Sequence, residues 1–369
     1  MRIALVHDWL NNLGGAERVL IELHSIFPEA PIYTLFSNKK FTSQYLPDAT
    51  LVNSPLQKVP FINKIYKYFS LLMPSMIESF DMSDFDVVLS SSVIFSKGLV
   101  LNLKTRHICY CYSPSRSFWD RHSDYENKSW KSGIVRHILR IWDRQAADRV
   151  NEFVAISKHV QDRIKKYYKR DSIVIYPPTT LEYQAKSIEY SGNTKSLMSS
   201  TDYYLLVSRL FPHKNVDIVI EAFNKLNLPL LIIGTGPEYY ELKSRIENPK
   251  IKLLGFLPDQ DLPQYYQSCK AFIMPQEEDF GLTPIEAMTY GKPVLALRKG
   301  GALETIIEGQ TGELFDDPIP EALADGIRRL NENYSAYDTT TIKLQAQKFS
   351  RDIFRQKMLE LVHGHGQRV

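Results

Sequence analysis

The chain has 369 residues, of which 44% are hydrophobic and 24% are charged, and its formal net charge is +3. These values are typical of a globular protein long enough for two domains, and they argue against a general nucleic-acid-binding protein. The first apolar run, Ile3 to Val6, is too short for a signal peptide, and no later run approaches the roughly 20 residues that span a bilayer. We therefore expect a protein that is neither exported nor integral to a membrane.

The cysteines and the charge distribution add two expectations. Cys109, Cys111 and Cys269 are odd in number and lie in apolar, strand-like runs. This favours reduced core thiols in a cytosolic protein, since a metal site would need more ligands at a recognised spacing. Lysine and arginine outnumber acidic residues in the first half of the chain only, so that half is the candidate for an anionic partner.

The first half alternates predicted strands with helical stretches. Arg2 to His7 is an apolar run of the kind found in buried parallel strands, and it leads through Gly14-Gly15 into a helical pattern. A glycine turn in this position lets the backbone approach a phosphate, although a tight turn without a ligand explains the same residues. Further strands are predicted at residues 31–35, 86–90, 107–111, 153–157 and 173–176.

A helical apolar pattern between Pro60 and Pro74 allows two interpretations. It has Lys58, Lys64 and Lys67 nearby. The pattern fits a helix packed into the core, and it fits equally a face that rests on an anionic membrane.

The second half repeats the alternation of strands and helices, with strands predicted at residues 203–207, 229–234, 251–255, 271–274 and 293–297. The predicted fold class is α/β, with two doubly wound parallel sheets that bind ligand at the carboxyl ends of their strands. The predicted domains are residues 1–182 and 201–347, joined by a polar linker at 183–200. A last helix within 348–369 can pack back on the first domain.

The stretch from Phe272 to Pro293 predicts a buried strand, an acidic loop and a short helix. Thr283 is a suitable N-cap and Pro284 a suitable first helical residue, so the loop faces a helix N-terminus that can bind a phosphate. Glu278 and Glu286 flank this terminus, and carboxylates accept hydrogen bonds from hydroxyls. The pattern indicates a ligand with phosphate and hydroxyl groups, such as a nucleotide sugar. The alternative is a capping box in which Glu286 only bonds back to Thr283.

Two cations and two glycine loops belong to the same predicted end of the second sheet. Arg209 and Lys214 follow its first strand, where they can neutralise a diphosphate at roughly 1.5–3 kcal/mol per charged hydrogen bond. Ordinary surface cations are the alternative. The loops Gly234-Thr235-Gly236 and Gly255-Phe256 can receive a flat base, and the absent third glycine of a dinucleotide fingerprint disfavours a nicotinamide cofactor.

Together these motifs resemble the retaining glycosyltransferases of family 4, whose GT-B fold has two Rossmann-like domains facing a central cleft. The residues that carry the resemblance are Gly14-Gly15, Arg209-x4-Lys214, Gly234-x-Gly236-Pro237 and Glu278-x7-Glu286 with Phe280-Gly281-Leu282. The serine run at 90–92, Lys97-Gly98 and residues 111–120 are similar to the bacterial mannosyltransferase-like branch that builds surface polysaccharides. Tyr112 and Val93 depart from that branch, in which histidine is usual at both positions.

The resemblance implies a role for each candidate residue. Arg209 and Lys214 would hold the donor phosphates, and Glu278 would contact the transferred sugar; these three are the catalytic candidates. The donor-binding candidates are Gly14, Gly15, Gly236, Gly255, Phe256, Phe280, Gly281, Leu282, Thr283 and Glu286, the last of them on the ribose. The acceptor-side candidates are Tyr112, Arg116, Trp119 and Asp120. The resemblance implies no metal and no cofactor for the transfer.

The expected function is therefore transfer of a hexose from a nucleotide-diphosphate sugar to a saccharide acceptor, in cell-surface polysaccharide synthesis. Resemblance to the branch favours GDP-mannose as donor and a lipid-linked acceptor. The expected location is cytoplasmic, with contact to the inner face of the membrane as a further possibility. The alternatives are a nucleotide-sugar epimerase or a sugar phosphorylase of the same fold, or a non-catalytic nucleotide-sugar-binding assembly subunit.

Overall fold

The computed structural model describes residues 1–120, 130–179 and 203–364, with the side chains of residues 130–132 outside that description. The chain divides into two compact units. Unit 1 comprises Met1–Pro178 together with the C-terminal segment from Arg351, and unit 2 comprises Thr179–Ser350. The predicted linker at residues 183–200 lies outside the described residues.

Unit 1 is built on a seven-stranded parallel sheet in the order β3-β2-β1-β4-β5-β6-β7. Its strands are β1 (Ile3–His7), β2 (Ile32–Thr34), β3 (Leu51–Asn53), β4 (Val87–Ser92), β5 (Arg106–Cys111), β6 (Glu152–Ala155) and β7 (Ser172–Val174). The strand order reverses between β1 and β4. This switch point is where open parallel sheets bind ligands, outside the carboxyl ends of the strands.

The helices of unit 1 connect these strands or cover the sheet. They are α1 (Gly15–Ile26), α2 (Lys39–Tyr45), α3 (Ile62–Ile65), α4 (Met73–Glu78), α5 (Arg116–Trp119), α6 (Trp130–Asp148) and α7 (Lys158–Tyr168). Short 3-10 turns lie at Pro55–Lys58 and Tyr66–Phe69.

The last helix of the chain, Arg351–His363, belongs to unit 1. Nε of Arg351 lies 3.3 Å from Oε2 of Glu22, on α1. The ring of Phe354 meets the edge of Tyr110, on β5, with 5.7 Å between ring centroids. Buried apolar contacts and an ion pair therefore hold this helix on the first sheet.

The predicted single helix between residues 60 and 74 is wrong, because a 3-10 turn interrupts it. Ile62 and Met73 are buried in the hydrophobic core of unit 1. Phe61 has a left-handed backbone with φ of 58°, and its side chain is 77% exposed. Tyr68 is 88% exposed. Some of the apolar side chains between residues 60 and 74 therefore pack into the core, and the others are exposed to solvent.

Unit 2 repeats the architecture with a six-stranded parallel sheet in the order β10-β9-β8-β11-β12-β13. Its strands are β8 (Tyr204–Val207), β9 (Leu230–Ile233), β10 (Ile251–Gly255), β11 (Ala271–Met274), β12 (Val294–Leu297) and β13 (Gly312–Phe315). The order reverses between β8 and β11, so the second switch point lies at the ends of these two strands. The predicted fold class, with two doubly wound parallel sheets, is confirmed.

The helices of unit 2 are α8 (Val216–Leu226), α9 (Tyr239–Ser244), α10 (Leu262–Ser268), α11 (Leu282–Thr289), α12 (Ala302–Thr305), α13 (Pro320–Glu332) and α14 (Thr339–Gln347). Short 3-10 turns lie at Pro212–Lys214, Asp259–Asp261 and Tyr334–Ala336. A continuous cluster of aliphatic and aromatic side chains packs α8 and α13 against one face of the sheet.

Cys109, Cys111 and Cys269 are free and buried, as predicted. Burial raises the pKa of the Cys269 thiol to about 12. Within the described residues, no helix is both long and apolar enough to cross a bilayer.

Candidate functional site

The loop between β11 and α11 lies at the switch point of unit 2. The helix begins at Leu282, and its N-cap is Gly281, with φ of 90° and no side-chain capping bond. The prediction that Thr283 is the N-cap is therefore wrong, and so is the capping box built on it. Glycine is favoured here because few other residues adopt this φ without strain. The unpaired N–H groups of the first helical turn face the loop, as an anion site requires.

Glu278 is held by two side chains that reach it from different parts of the switch point. Nζ of Lys214 donates a hydrogen bond to its Oε1, and Nε2 of Gln276 donates to the same oxygen over 2.9 Å. The Lys214 side chain is only 9% exposed, whereas the Glu278 side chain is 28% exposed. The pair thus brings together two residues that the sequence predicted for one site. It leaves part of the carboxylate open to solvent.

Lys214 is fixed by the backbone around it. It ends the 3-10 turn Pro212–Lys214, and the next residue, Asn215, has a left-handed φ of 52°. Nδ2 of Asn215 donates to the carbonyl of Pro275, 3.1 Å away, in the loop that carries Glu278. The two loops that follow β8 and β11 are therefore joined by two independent contacts.

Gly300 and Gly301, which the sequence analysis did not select, support the same loop. The N–H of Gly301 donates to the carbonyl of Glu278 over 2.9 Å. A Cβ on Gly300 would lie 2.2 Å from that carbonyl oxygen, and one on Gly301 would lie 2.3 Å from the carbonyl oxygen of Phe280. Only glycine permits this approach. The adjacent pair Gly300-Gly301 after a predicted strand was the available signal.

Glu286 lies in the middle of α11 and is nearly buried, with 5% of its surface exposed. Its Oε2 accepts a hydrogen bond from the hydroxyl of Tyr266, 2.8 Å away. The Tyr266 ring is itself buried and stacks on Tyr290 with 6.0 Å between centroids. This packing fixes the direction of the carboxylate.

Arg209, which follows β8, is exposed. Its guanidinium lies over the ring of Phe211, 5.7 Å from the centroid, and no hydrogen bond or ion pair holds it within the described residues. Arginine stacked in this way keeps its donors available for an anion. The ammonium group of Lys214 is therefore paired with Glu278, whereas the guanidinium of Arg209 is available to an anionic ligand.

The two predicted glycine loops meet in the structure. The N–H of Gly234 donates to the carbonyl of Gly255 over 2.8 Å. A Cβ on Gly236 would lie 2.1 Å from the carbonyl oxygen of Leu210, so this loop packs closely on the segment that carries Arg209. Beside them, Phe256 has 73% of its surface exposed. An exposed aromatic ring at a sheet end is a suitable platform for a planar base.

In unit 1, the glycine turn lies at the switch point between β1 and β4. Gly14 is the N-cap of α1, and its N–H donates to Oε2 of Glu17 over 2.9 Å. The other carboxylate oxygen of Glu17 lies 3.6 Å from Nε2 of His7, at the end of β1. Gly15 is the first helical residue, so its N–H points out of the helix end.

Asp8, which the sequence analysis did not single out, organises the loop after β4. Its carboxylate accepts hydrogen bonds from the backbone N–H groups of Val93, Ile94, Phe95 and Ser96. Asp8 is fully buried, and these four donors compensate the desolvation of its charge. A carboxylate just beyond a buried strand was the only sequence signal.

The acceptor-side candidates make their polar contacts within unit 1. Nε1 of Trp119 donates to Oδ2 of Asp143 over 2.7 Å, and the same carboxylate forms a buried ion pair with Lys97. Asp120 is paired with Arg163, which is itself buried. The assignment of these residues to an acceptor stays a prediction.

The two remaining acceptor-side candidates lie at different places. Nη2 of Arg116 lies 3.5 Å from Nε2 of His159, at the start of α7. The hydroxyl of Tyr112 donates to the carbonyl of Ala16, on α1, over 2.9 Å. Tyr112 therefore contacts the helix that follows the glycine turn. Its assignment to an acceptor also stays a prediction.

Within the described ranges, no three histidine, cysteine or acidic side chains come close enough together to share a metal ion. The polar groups at the switch point of unit 2 are cations, carboxylates and backbone N–H groups. Such a set suits a ligand with both phosphates and hydroxyls.

Comparison with known proteins agrees with this chemistry. Residues 194–346, within unit 2, match the family model described as Glycosyl transferases group 1. The chain is 26% identical to an uncharacterized glycosyltransferase of Methanocaldococcus jannaschii over 53% of each chain, so that alignment spans about half the length of the relative. It is 24% identical to the alpha-1,3/1,6-mannosyltransferase ALG2 of Candida glabrata, over 97% of this chain and 91% of that protein.

Among solved structures, HepE of Anabaena in complex with UDP and glucose aligns with a TM-score of 0.72. The alignment covers 98% of this chain and 99% of that chain at 19% identity, so it shows the fold. The match over residues 194–346 and the similarity to a mannosyltransferase support a glycosyltransferase of the GT4 type, and the shared architecture shows the GT-B fold.

Proposed function

We propose that the chain is a retaining, metal-independent hexosyltransferase. It takes the sugar, with mannose favoured, from a nucleotide diphosphate and passes it to a lipid-linked saccharide in cell-surface polysaccharide synthesis. The observation that carries the proposal is the arrangement at the switch point of unit 2. There the buried Lys214 holds Glu278 while the guanidinium of Arg209 stays open.

The arrangement suits the charge that develops during transfer. The bond between the anomeric carbon and the phosphate oxygen breaks, and negative charge collects on the leaving diphosphate. Arg209 and the N–H groups at the start of α11 can stabilise that charge without rearranging. The acceptor oxygen forms the new bond on the same face of the sugar, and its proton passes to the leaving phosphate oxygen. No protein nucleophile is needed.

Glu278 and Glu286 provide acceptors for hydroxyl groups. Oε1 of Glu278 accepts from Lys214 and Gln276, which fixes the direction of the carboxylate that is proposed to accept from a sugar hydroxyl. Glu286, held by Tyr266, is the acceptor proposed for the ribose hydroxyls. Phe256 is proposed to stack on the base, since its ring is exposed beside the Gly234–Gly255 contact.

A panel of nucleotide sugars tests the donor. Mannose is favoured by the branch resemblance and by the 24% identity to a mannosyltransferase. GDP-mannose, UDP-glucose, UDP-galactose and UDP-N-acetylglucosamine are compared for their increase of the melting temperature, since a ligand that binds only the folded state stabilises it. Transfer is then measured with and without EDTA, and the anomeric configuration of the product is read by NMR. We expect GDP-mannose to give the largest shift and retention of configuration. Inversion, or loss of activity with EDTA, would contradict the proposed mechanism.

The acceptor side of the proposal rests on an exposed surface of unit 1, which we call the basic aromatic segment, residues 58–72. Its exposed side chains include Lys58, Phe61, Lys64, Lys67, Tyr68, Leu71 and Leu72. There is no acidic residue between Asp48 and Glu78. Exposed aromatic and aliphatic groups among lysines fit the interface of an anionic membrane, where a lipid-linked saccharide would be found.

Vesicle binding tests this surface directly. Wild-type protein should sediment with vesicles of phosphatidylglycerol and phosphatidylcholine at low salt, and not with phosphatidylcholine alone. The double variant Phe61→Ser, Tyr68→Ser should lose this binding. Tyr240→Ser is the matched control, because Tyr240 is an 83% exposed aromatic residue of unit 2. Equal sedimentation of the double variant and the wild type would remove the segment from the proposal.

A further inference from the structure

Four residues of unit 1 form a chain of hydrogen bonds that ends on the glycine turn. Nδ1 of His7 lies 2.9 Å from the carbonyl oxygen of Ser91 and 3.0 Å from its Oγ. The Ser91 Oγ lies 2.8 Å from the Tyr112 hydroxyl, which lies 2.9 Å from the carbonyl oxygen of Ala16. This series of hydrogen bonds connects the carboxyl ends of β1, β4 and β5 to the first turn of α1.

The direction of these hydrogen bonds follows from the acceptors. A carbonyl oxygen only accepts, so Tyr112 must donate to Ala16 and His7 must carry its proton on Nδ1. Ser91 then donates to the Tyr112 oxygen. Burial raises the pKa of the Tyr112 phenol well above its usual value, so the hydroxyl keeps the proton that it donates.

The other side of the turn is held by Glu17. Its Oε2 accepts from the N–H of Gly14, and a Cβ on Gly14 would lie only 2.7 Å from that oxygen. Its Oε1 faces Nε2 of His7 at 3.6 Å, and this buried nitrogen has no hydrogen-bond partner among the described residues. The turn is thus held at the Gly14 N–H and at the Ala16 carbonyl. The His7 side chain lies next to Ser91, which contacts Tyr112, and next to Glu17.

This arrangement fixes the direction of the N–H groups that the turn presents. The residues Gly14 to Ala16 have no side chain long enough to hold themselves in place, and glycine has the largest conformational freedom of any residue. An anion bound by backbone N–H groups gains most when those groups are already aimed, because no ordering cost is then incurred on binding. Two anchored side chains supply that preorganisation.

We propose that Tyr112 is a positioning residue for the donor diphosphate, and that it acts through Ser91 and Ala16 on the Gly14-Gly15 turn. This rests on the proposed function, together with the donor-binding role that the family resemblance implies for Gly14 and Gly15. Tyr112 lies where the related branch usually has histidine. In this chain, Tyr112 supports donor binding through the backbone of the Gly14-Gly15 turn. It does not contribute to acceptor binding.

The test is Tyr112→Phe, which removes one hydroxyl and keeps the ring. Tyr110→Phe is the matched control, because the Tyr110 hydroxyl on the same strand donates to the carbonyl of Ile175 over 2.9 Å. We expect Tyr112→Phe to weaken the binding of GDP or UDP by about fivefold, the scale of one lost hydrogen bond. The KM for the donor should rise equally, with the acceptor KM unchanged. Tyr110→Phe should change the melting temperature only.

A second variant keeps the inference testable if Tyr112→Phe folds poorly. Ser91→Ala removes the donor to Tyr112 and leaves His7 its bond to the Ser91 carbonyl. It should also weaken diphosphate binding and spare the acceptor KM. Variants that bind both diphosphates as the wild type does, or that raise only the acceptor KM, would overturn the inference. A wild-type protein that binds neither diphosphate would instead overturn the proposed function.

Discussion

The ammonium group of Lys214 donates a hydrogen bond to the carboxylate of Glu278, which lies 64 residues further along the chain. The contact joins the loops after β8 and β11, the two strands between which the order of the second sheet reverses. A carboxylate that is proposed to contact the transferred sugar is useful only if its direction is fixed, and the largely buried Lys214 helps to fix it.

The first prediction concerns this pair. Lys214→Ala should lower the transfer rate by about a hundredfold, since Glu278 is released from the position in which it is proposed to contact the sugar. It should also lower the melting temperature, because a largely buried ion pair is broken from one side. The rate is measured by product formation and the stability by calorimetry.

The control for Lys214 is another lysine paired with glutamate. Lys225 lies 2.9 Å from Glu221 on α8, and both side chains are exposed. Lys225→Ala should leave rate and melting temperature unchanged, as is usual for surface pairs. A fully active Lys214→Ala variant would remove Lys214 from the site.

The second prediction distinguishes the role proposed for Arg209 from the role proposed for Glu286. Arg209→Ala should weaken the binding of both pyrophosphate and GDP or UDP, because the exposed guanidinium is proposed to contact phosphate. Its stability should be that of the wild type, since no hydrogen bond or ion pair holds the group in the described residues. Calorimetric titration with each ligand gives the affinities. Unchanged pyrophosphate binding would contradict the role given to Arg209.

The third prediction concerns Glu286. Glu286→Gln can still accept from the Tyr266 hydroxyl, so the local packing should hold. The carboxylate that accepts from both ribose hydroxyls is lost, so GDP or UDP should bind about tenfold more weakly, whereas pyrophosphate should bind as before. An equal loss for the two ligands would place Glu286 near the phosphates. No loss for either would make it a structural residue.

The sequence predicts the sheets well because buried parallel strands are continuous apolar runs. It misses β3 and β13, which are edge strands of three and four residues. In β13, Glu313 is buried, and its carboxylate is compensated by Arg329, whose Nη1 donates over 2.6 Å. The strand depends on a partner from α13, so no local pattern could reveal it.

The site is predicted less completely, and for a similar reason. Glu278, Lys214 and Glu286 are recognisable because their loop positions are set by the order of strands. The supporting residues, such as Gln276 and Tyr266, act through tertiary contacts that leave no local signature. The N-cap of α11 was predicted at Thr283 from its hydroxyl. The chain instead begins this helix with a glycine in a left-handed conformation.

The fourth prediction uses the cysteines. All three are buried, and burial raises the pKa of the Cys269 thiol to about 12. Because all three thiols are buried out of reach of the reagent, none should react with Ellman's reagent at pH 8 in the folded protein. All three should react after unfolding in guanidinium chloride. Rapid reaction of one thiol in the folded state would show that its strand opens readily.

The fifth prediction compares two glycine-to-alanine variants that differ only in their surroundings. Gly301 has an ordinary helical backbone, so Gly301→Ala introduces no backbone strain, but its Cβ would lie 2.3 Å from the carbonyl oxygen of Phe280. The loop that carries Glu278 must then shift. We expect both a lower melting temperature and a transfer rate reduced by at least about tenfold, since small displacements of positioned groups are costly.

Gly133 on α6 is the matched control, because no atom of the described residues lies within 4 Å of the Cβ that alanine would add. Gly133→Ala should stabilise unit 1 by up to about 1 kcal/mol through helix propensity and leave the rate unchanged. If Gly301→Ala kept the wild-type rate while losing stability, the contact between Gly301 and the Glu278 loop would matter for folding alone. The catalytic geometry would then depend on Lys214 and Gln276 without support from the Gly300-Gly301 turn, because they are the side chains that hold the carboxylate directly.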